Sequence, residues 1–432
     1  KKGDAQIAAG QLTAKALFDN DPYYYEYFCS MLSKDEQFVG QFARFQNNFN
    51  LDYKRVKVTV KNVPYAKVKL LDVQGNELWS TVADVNGECY LFSNKDGNKV
   101  SVTVGDETKL YDANKNVLVE DFENSTLKYN KIQVLFNIDT TGSMGDEIAY
   151  LKAELKDVMT KIKSQTNAET EVGIIVYRDK NDAFLTDKFD FSTSVDSALS
   201  YLDNQFAAGG GDFEEAVEKA YEVARQFTWA NDATKIIVHV ADAPSHDKDV
   251  SNWFDSVKYF SEMGAHILTV ASSGIDSKTE YLFRMQSLQT NGCYAFLTDD
   301  SGIGDSHKEA ITLDDLPVER LNDLLVRVIK GFHDGDFQRA VNEDLAGYPE
   351  LLYFNSEIHV NKDVQSVLVK KYIEQFAENK NGAKAGIKML FLFNNIPFVY
   401  IEDNFVEAEE IETTETFGFI TKANRLNLTT LW

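Results

Sequence analysis

Residues 132–143 read IQVLFNIDTTGS, an apolar run that ends in one carboxylate and then enters a hydroxyl-rich turn. The run has the length of a buried strand, and a helix-like segment begins near Gly145. Asp139, Thr141 and Ser143 therefore follow the strand within one turn. Magnesium prefers oxygen ligands and keeps several waters, so we expect this turn to hold Mg²⁺, or alternatively Mn²⁺ or Ca²⁺, rather than zinc.

Two later stretches repeat this oxygen-rich design. The apolar run 236–241 leads directly into Asp242, again a carboxylate at the end of a strand. Between the two strands, Gly209, Gly210 and Gly211 precede Asp212 at the start of a predicted helix. Glycines adopt positive φ without strain and let the backbone approach an ion closely. Asp212 is also a suitable helix N-cap.

Apolar strands alternate with amphipathic segments of helix length between residues 131 and 335. The predicted strands are 132–138, 172–177, 236–241, 266–271 and 294–297, and the predicted helices are 146–164, 213–227, 251–263, 278–289 and 316–332. This alternation predicts an α/β doubly wound, Rossmann-like domain whose ligands bind at the carboxyl ends of the strands. Asp139 and Asp242 both lie at such ends.

The flanking regions have other patterns, so the chain is predicted to be multidomain. Residues 1–52 combine helical spacing with dense aromatics and predict a short helical N-terminal segment. Residues 53–130 alternate with period two and carry hairpin turn signals, which predicts a β-sandwich. Residues 336–432 predict a β-rich extension, either a third unit or one that packs on the sandwich.

Composition limits the function further. A chain of 432 residues with a net charge of −24 is a poor match for nucleic acid, because phosphate binding needs a basic surface. No apolar run reaches the roughly 18 residues that a transmembrane segment requires. Cys29, Cys89 and Cys293 are far apart and predict buried thiols rather than a disulfide framework.

With three motifs in the right order, residues 131–335 resemble a von Willebrand factor A (vWA) domain. The metal ion-dependent adhesion site of that family has the pattern Asp-x-Ser-x-Ser, plus a Thr and an Asp from two later loops. The resemblance implies that Asp139, Thr141, Ser143 and Asp242 are metal ligands, with Thr141 replacing the first Ser. Asp212 stands at about the position of the family's Thr.

That departure leaves two alternatives for Asp212. As a direct ligand it would put three Asp around one ion, which would neutralise the ion and weaken its attraction for an acidic partner. As a helix cap it would leave a coordination position open for an Asp or Glu of a partner protein. Asp179, Gly211 and His246 are predicted to support the ligands or to contact the partner. For Asp179, pairing with Arg178 is the simpler alternative.

Residues 53–130 resemble a carboxypeptidase-regulatory-like or other immunoglobulin-like module, through the alternating Ala66-x-Val68-x-Leu70 and the turn Asp84-x-Asn86-Gly87. Together the two resemblances imply a bacterial extracellular or cell-surface setting, with any lipid anchor in a segment outside this chain. They imply a divalent-metal-dependent, adhesion-type protein-binding module of a surface or secreted protein, and not an enzyme.

Two other functions compete for the same residues. In the first, the protein is a structural or assembly component whose metal only holds the loops together. In the second, it is a serine hydrolase that uses Ser143 on a strand-to-helix turn, with Asp242 and His246 or His266 as partners. The hydrolase pattern is weak, because Thr141 replaces the first glycine of a nucleophile elbow and His246 follows Asp242 too closely.

Overall fold

The computed structural model describes residues 9–49, 54–93, 95–180, 182–211, 213–302, 306–313 and 316–338, and four short strands between residues 398 and 427. The chain divides into two compact units, residues 1–339 and residues 340–432, which are described separately.

The N-terminal segment contains a strand as well as helices. Strand β1 (Thr13–Leu17) is followed by helix α1 (Pro22–Lys34) and helix α2 (Glu36–Phe49). The Asp21 side chain caps α1 by accepting a hydrogen bond from the Tyr23 amide, and Pro22 suits the first helical turn because its missing N–H is not needed there. The two helices agree with the predicted helical segment, whereas β1 was not predicted.

Residues 54–119 form two separate β-sheets. Their strands are β2 (Lys54–Val60), β3 (Lys67–Leu71), β4 (Glu77–Val82), β5 (Glu88–Ser93), β6 (Lys99–Val104), β7 (Glu107–Asp112) and β8 (Asn116–Val119). One sheet has the order β5-β2-β8 and the other β4-β3-β6-β7. Gly87, predicted to form a turn, has φ +79°, and a Cβ there would lie 2.2 Å from the Val60 carbonyl oxygen. Only glycine fits this turn.

The central sheet has eight strands in the order β11-β10-β9-β12-β13-β14-β1-β15. These are β9 (Lys131–Asp139), β10 (Glu169–Tyr177), β11 (Thr186–Ser192), β12 (Ala233–Ala241), β13 (Ala265–Ala271), β14 (Cys293–Thr298) and β15 (Glu319–Arg320), besides β1. Neighbours from β10 through β14 pair in parallel. Strand β11 pairs antiparallel at one edge, and β1 pairs antiparallel with both β14 and β15.

Helices cover both faces of this sheet, as the sequence predicts. They are α3 (Gly145–Thr166), α4 (Val195–Asp203), α5 (Val217–Ala224), α6 (Val250–Glu262), α7 (Ser277–Gln289) and α8 (Leu321–Asp334). Buried residues of α3, α4 and α8 share one apolar cluster with one face of the sheet. Buried residues of α5, α6 and α7 share a second cluster with the other face. The arrangement is consistent with a doubly wound sheet.

Helix α5 differs from its prediction at the end nearest the candidate site. It begins at Val217 with Ala216 as N-cap, not near residue 213. The reason is a bridge between Glu215 and Ser245, in which the Glu215 amide donates a 2.9 Å hydrogen bond to the Pro244 carbonyl. This pairing keeps the chain extended before the helix. The N-cap position of α5, for which Asp212 was one candidate, is thus occupied by Ala216, and Asp212 itself lies outside the described residues.

The two small sheets pack on the central α/β layer through one continuous core. Trp79 of β4 donates from Nε1 to the Ser261 hydroxyl at 3.0 Å, and Ser261 donates in turn to the Ser80 carbonyl at 3.0 Å. The Trp79 and Phe254 rings lie 6.3 Å apart. Residues of the two sheets and of α6 belong to the same buried apolar cluster.

Residues 340–432 contain two described hairpins. Strand β16 (Phe398–Ile401) pairs antiparallel with β17 (Asn404–Glu407), and β18 (Gly418–Ile420) pairs antiparallel with β19 (Arg425–Asn427). The strands expected at 398–401 and near 417–420 are thus confirmed, whereas those expected at 358–360 and 389–393 lie outside the described residues. Across the described part of the chain, no helix is both long and apolar enough to cross a membrane.

Candidate metal centre

The two predicted carboxylate ligands meet at one edge of the central sheet. Asp139 is the last residue of β9, and Asp242 directly follows β12, which pairs with β9 in parallel. Parallel strands bring their carboxyl ends to the same edge, so the register places these side chains together. Asp139 is 0% exposed and Asp242 is 5% exposed, so both carboxyls are shielded from bulk water.

The hydroxyl-rich turn after β9 orients Asp139. Its Oδ1 accepts hydrogen bonds from the Thr141 amide at 2.9 Å and the Thr141 hydroxyl at 2.7 Å. The Thr141 and Ser143 hydroxyl oxygens are 3.4 Å apart. The alternate positions 139, 141 and 143 therefore converge, as the sequence motif predicts.

One oxygen of each carboxylate remains without a protein partner. Asp139 Oδ2 and Asp242 Oδ1 are both buried and accept no hydrogen bond from the described residues. Buried carboxylate oxygens are normally satisfied, so two orphaned oxygens in one place require an explanation.

The electrostatics of these carboxyls have a clear cause. Burial, followed by the nearby Asp242 charge, raises the pKa of Asp139 to about 8, against the hydrogen bonds from Thr141. Burial also raises the pKa of Asp242, while a hydrogen bond with Ser143 opposes this change. Two carboxylates that disfavour each other's ionisation would both be stabilised by a cation between them.

The donor set fits a hard divalent ion. It consists of two carboxylates and two hydroxyls, all oxygen, which is the chemistry that Mg²⁺ accepts. The described residues do not bring three His, Cys, Asp or Glu side chains around one point in a metal-binding arrangement. A centre built here therefore depends on the hydroxyls of Thr141 and Ser143 as well as on Asp139 and Asp242.

Glu215 is an acidic neighbour that the sequence reasoning missed. Its side chain is buried, and its Oε2 accepts no hydrogen bond from the described residues. A Cβ placed on Gly210 would lie 3.1 Å from Glu215 Oε1 and 3.4 Å from Thr141 Cβ, so the two side chains flank the same glycine. Burial, followed by the charges of Asp139 and Asp179, raises the pKa of Glu215 to about 9.

The glycine loop reaches the site by backbone contacts. Gly209 and Gly210 have φ of +86° and +79°, a conformation that favours glycine. The Gly142 amide donates to the Gly209 carbonyl at 3.1 Å, and the Gly210 amide donates to Asp182 Oδ2 at 2.9 Å. Gly211 is exposed, and a Cβ there would meet nothing within 4 Å. Asp212 lies outside the described residues.

Asp179 and His246, predicted to support the site, contact each other. His246 Nε2 lies 2.8 Å from Asp179 Oδ1. Arg178 instead donates to the Phe206 carbonyl at 2.7 Å and lies over the Phe184 ring. The simpler alternative of an Arg178–Asp179 pair is therefore replaced by a hydrogen-bonding contact between the loops after β10 and β12.

The partners required for a serine hydrolase are not brought to Ser143. His246 contacts Asp179, and His266 lies near the amino end of β13, at the opposite edge of the sheet. Its Nδ1 contacts the carbonyls of Thr290 and Asn291 at 3.1 and 3.0 Å. The described geometry gives the hydrolase alternative no support.

Two curated proteins resemble part of this chain. The α-protein kinase vwkA of Dictyostelium discoideum is 26% identical over 163 residues, which is 37% of this chain and 26% of that protein. An ariadne-like RING finger protein of Acanthamoeba polyphaga mimivirus is 32% identical over 111 residues, or 26% of this chain and 11% of that protein. The chain thus spans about a quarter or less of these relatives.

Among solved structures, the pilus adhesin SpaC from Lactobacillus rhamnosus GG, in its open conformation, matches with 9% identity and a TM-score of 0.32. The match covers 49% of this chain and 30% of the adhesin. The family model described as von Willebrand factor A domain matches residues 133–302, which include the Asp139 turn, the glycine loop and Asp242. Residues 133–302 therefore match the von Willebrand factor A domain family.

Proposed function

We propose that the carboxyl edge of the central sheet binds a divalent cation, with Mg²⁺ as the first candidate and Mn²⁺ or Ca²⁺ as alternatives. Asp139, Thr141, Ser143 and Asp242 would hold it. The observation that carries the proposal is the pair of buried, unpartnered oxygens, Asp139 Oδ2 and Asp242 Oδ1, beside two hydroxyls. A cation would satisfy both oxygens and offset the mutual repulsion of the two carboxylates.

We further propose that this vWA domain is a protein-interaction module of adhesion type. A bound cation would supply a fixed positive charge that can take a carboxylate from a partner protein. Ser143 and Gly211 are exposed at the same edge, so the site is open to a partner there. The Asp179–His246 pair holds two of the surrounding loops in place.

Glu215 favours a second candidate, in which the metal is structural. A third buried carboxylate beside Asp139 and Asp242 would give the centre more negative charge than a divalent cation neutralises. An external acidic group would then be attracted less strongly. In this case the ion would mainly hold the loops of Asp139 and Asp242 together, beside the charge of Glu215.

Thermal melting tests the metal claim. A ligand that binds the native state raises the melting temperature by mass action, by an amount that grows with its concentration. We expect Mg²⁺, Mn²⁺ or Ca²⁺ to raise Tm relative to EDTA in the wild type and to leave Asp139→Asn almost unchanged. If none of the three ions shifts Tm, the metal proposal fails.

Selection of peptides tests which candidate is correct. Random displayed peptides are selected on the full chain in Mg²⁺ and again in EDTA, with Asp139→Asn as the matched control. For adhesion, we expect Asp- or Glu-containing peptides to be enriched only with the wild type in Mg²⁺. Binding that survives both EDTA and Asp139→Asn would favour the structural role.

The bacterial, extracellular or cell-surface setting and the absence of enzymatic activity stay predictions. The relatives' kinase and RING names describe proteins of which this chain covers 26% and 11%. Localisation of the tagged full-length protein in its own host, by fractionation and surface proteolysis, tests the setting directly.

A further inference from the structure

A cavity of about 550 Å³ lies at the amino edge of the central sheet, opposite the metal centre. It is bounded by the small β-sheets on one side and by the starts of β12 and β13 on the other. Lys235, near the start of β12, is seven residues from Asp242, which corresponds to roughly 23 Å along a strand. The cavity is therefore separate from the metal centre.

Aromatic side chains form much of its wall. Tyr65, Tyr129, Phe227, Trp229 and Tyr259 all line it. The rings of Tyr65 and Tyr129 stack in parallel, with centroids 3.7 Å apart and planes 9° apart. Tyr65 has φ +60°, a conformation that costs energy for a residue with a bulky side chain and is concentrated at functional sites. The volume and the walls suit a planar ring.

Lys235 supplies a cation inside this aromatic wall. Its side chain is 6% exposed, and its Nζ donates one long hydrogen bond of 3.3 Å to the Ala233 carbonyl. Among the described residues, no carboxylate lies within ion-pair distance of Nζ. A buried ammonium without a carboxylate at ion-pair distance is unfavourable. Burial lowers the pKa of Lys235 to about 8, against the charge of the exposed Asp232, which raises it.

The other buried lysines of the described chain each pair with a carboxylate, which Lys235 does not. Lys15 pairs with Glu309 at 3.0 Å. Lys278 pairs with Glu214 at 3.0 Å and with Asp247 at 2.7 Å. Lys235 differs from both by lacking a carboxylate partner within the described residues and by facing a cavity.

Among the described residues, none of the charged groups at the cavity forms an ion pair with Lys235, and Asp232, which acts on it through its charge, is exposed to solvent. Lys67 and Glu262 are exposed at the rim. Asp84 Oδ1 already accepts hydrogen bonds from the amides of Asn86 and Glu88, at 2.8 Å each. Burial lowers the pKa of His266 to about 4, so that ring is neutral at pH 7.

We propose that this cavity binds a small organic anion consisting of a carboxylate on a planar ring. The Lys235 ammonium would pair with the carboxylate, and the tyrosine and tryptophan rings would cover the planar body. Charge-assisted hydrogen bonds in a shielded site are stronger than those in water, which gives selectivity for the charged ligand. The site is independent of the metal centre and of the function proposed for it.

Matched pairs of acids and amides test this proposal on the full chain. Benzoate, 2-naphthoate and indole-3-acetate are titrated by calorimetry, each beside its neutral amide, which keeps the shape and removes the charge. At least one acid is expected to bind tenfold or more tightly than its amide. Lys235→Met should abolish that preference, whereas Lys67→Met, which removes a rim charge, should retain it.

Three results would overturn the proposal: no acid binds, each acid binds no better than its amide, or Lys235→Met keeps the preference. Circular dichroism checks that the variant folds. If Lys235→Met does not fold, Tyr129→Leu replaces it as the variant, and this change should weaken acid and amide together. Unchanged binding in Tyr129→Leu would then refute the site.

Discussion

The residues of the proposed metal centre differ in how readily the sequence predicts them. Asp139, Thr141 and Ser143 lie at alternate positions after an apolar run, so local order alone predicts that they converge, and Thr141 does contact both others. Asp242 is predicted for the same reason, because it directly follows an apolar run. Glu215 could not be predicted in this way, because its position beside the site depends on a bridge to Ser245 that keeps the preceding chain extended.

The Glu215 carboxylate can be tested with a change that preserves its shape. If its charge adds to the field at the cation, Glu215→Gln should weaken Mg²⁺ binding by about tenfold, which corresponds to about 1.4 kcal/mol. Isothermal titration calorimetry measures this affinity. Glu214→Gln is the control, because Glu214 pairs with Lys278 at 3.0 Å instead. Equal Mg²⁺ affinity in Glu215→Gln and the wild type would place Glu215 outside the centre.

The buried carboxyl of Glu154 in α3 should make the free energy of unfolding depend on pH. It is 1% exposed and accepts a 2.9 Å hydrogen bond from the Gly10 amide, and burial raises its pKa to about 7. Because the folded pKa exceeds the unfolded one, this group's contribution is present below about pH 4.5 and is lost as the pH rises through 7.

Replacing Glu154 by Gln keeps a hydrogen-bond acceptor and removes the charge. Above pH 7 we expect Glu154→Gln to be more stable than the wild type, by on the order of 2 kcal/mol, and below pH 4.5 the two should be nearly equal. Urea unfolding at several pH values measures the difference. A stability difference that does not change with pH would contradict this role for Glu154.

Among the strands, the pattern of apolar residues in the sequence predicted those that are buried on both faces of the sheet. The predicted core strands became β9, β10, β12, β13 and β14, each extended by a few residues or fewer at its ends. The antiparallel strands β11 and β1 were not predicted, for different reasons. Residues of β11 are largely exposed or half-buried and polar, whereas β1 is short and joins the sheet through partners that are distant in the chain, β14 and β15.

Strand β1 should be essential to the sheet, because it pairs on both sides. Ala14 is 0% exposed and lies opposite Leu297 in β14 and Glu319 in β15. Proline lacks the amide donor and does not fit a central strand. We expect Ala14→Pro to cost about 3 kcal/mol or more in the free energy of unfolding, measured with denaturant.

Ala14→Ser is the control for this strand, because it keeps the backbone amide and changes the side chain by one hydroxyl. It should cost much less than Ala14→Pro. Similar losses for the two variants would mean that side-chain burial at position 14, and not the strand pairing of β1, determines stability.

For the whole molecule, composition excludes some functions. It does not predict how the two small sheets pack on the central layer. The net charge of −24 argued against nucleic acid, and the change from period two to alternating strands and helices near residue 131 separated two kinds of sheet. What the sequence could not predict is the contact between them. It depends on particular pairs such as Trp79 with Ser261, far apart in the chain.

This contact predicts that the two small sheets and the central layer unfold together. Trp79 is 5% exposed, and its ring lies against Phe92 and Phe254. Trp79→Ala should cost about 3–5 kcal/mol and weaken the vWA layer as well as the small sheets. Trp79→Phe, which keeps an aromatic ring and loses the hydrogen bond to Ser261, should cost about 1 kcal/mol. Calorimetry that shows separate transitions for the two layers would contradict the shared core.

The most direct test of the metal centre is anomalous diffraction from crystals of the full chain grown with Mn²⁺. We expect one strong manganese peak at the carboxyl edge of the sheet, in contact with Asp139 and Asp242 and beside Thr141 and Ser143. The peak should be absent from crystals of Asp139→Asn grown in the same way. If the wild type shows no peak at this edge at millimolar Mn²⁺, these residues do not form a divalent-cation site.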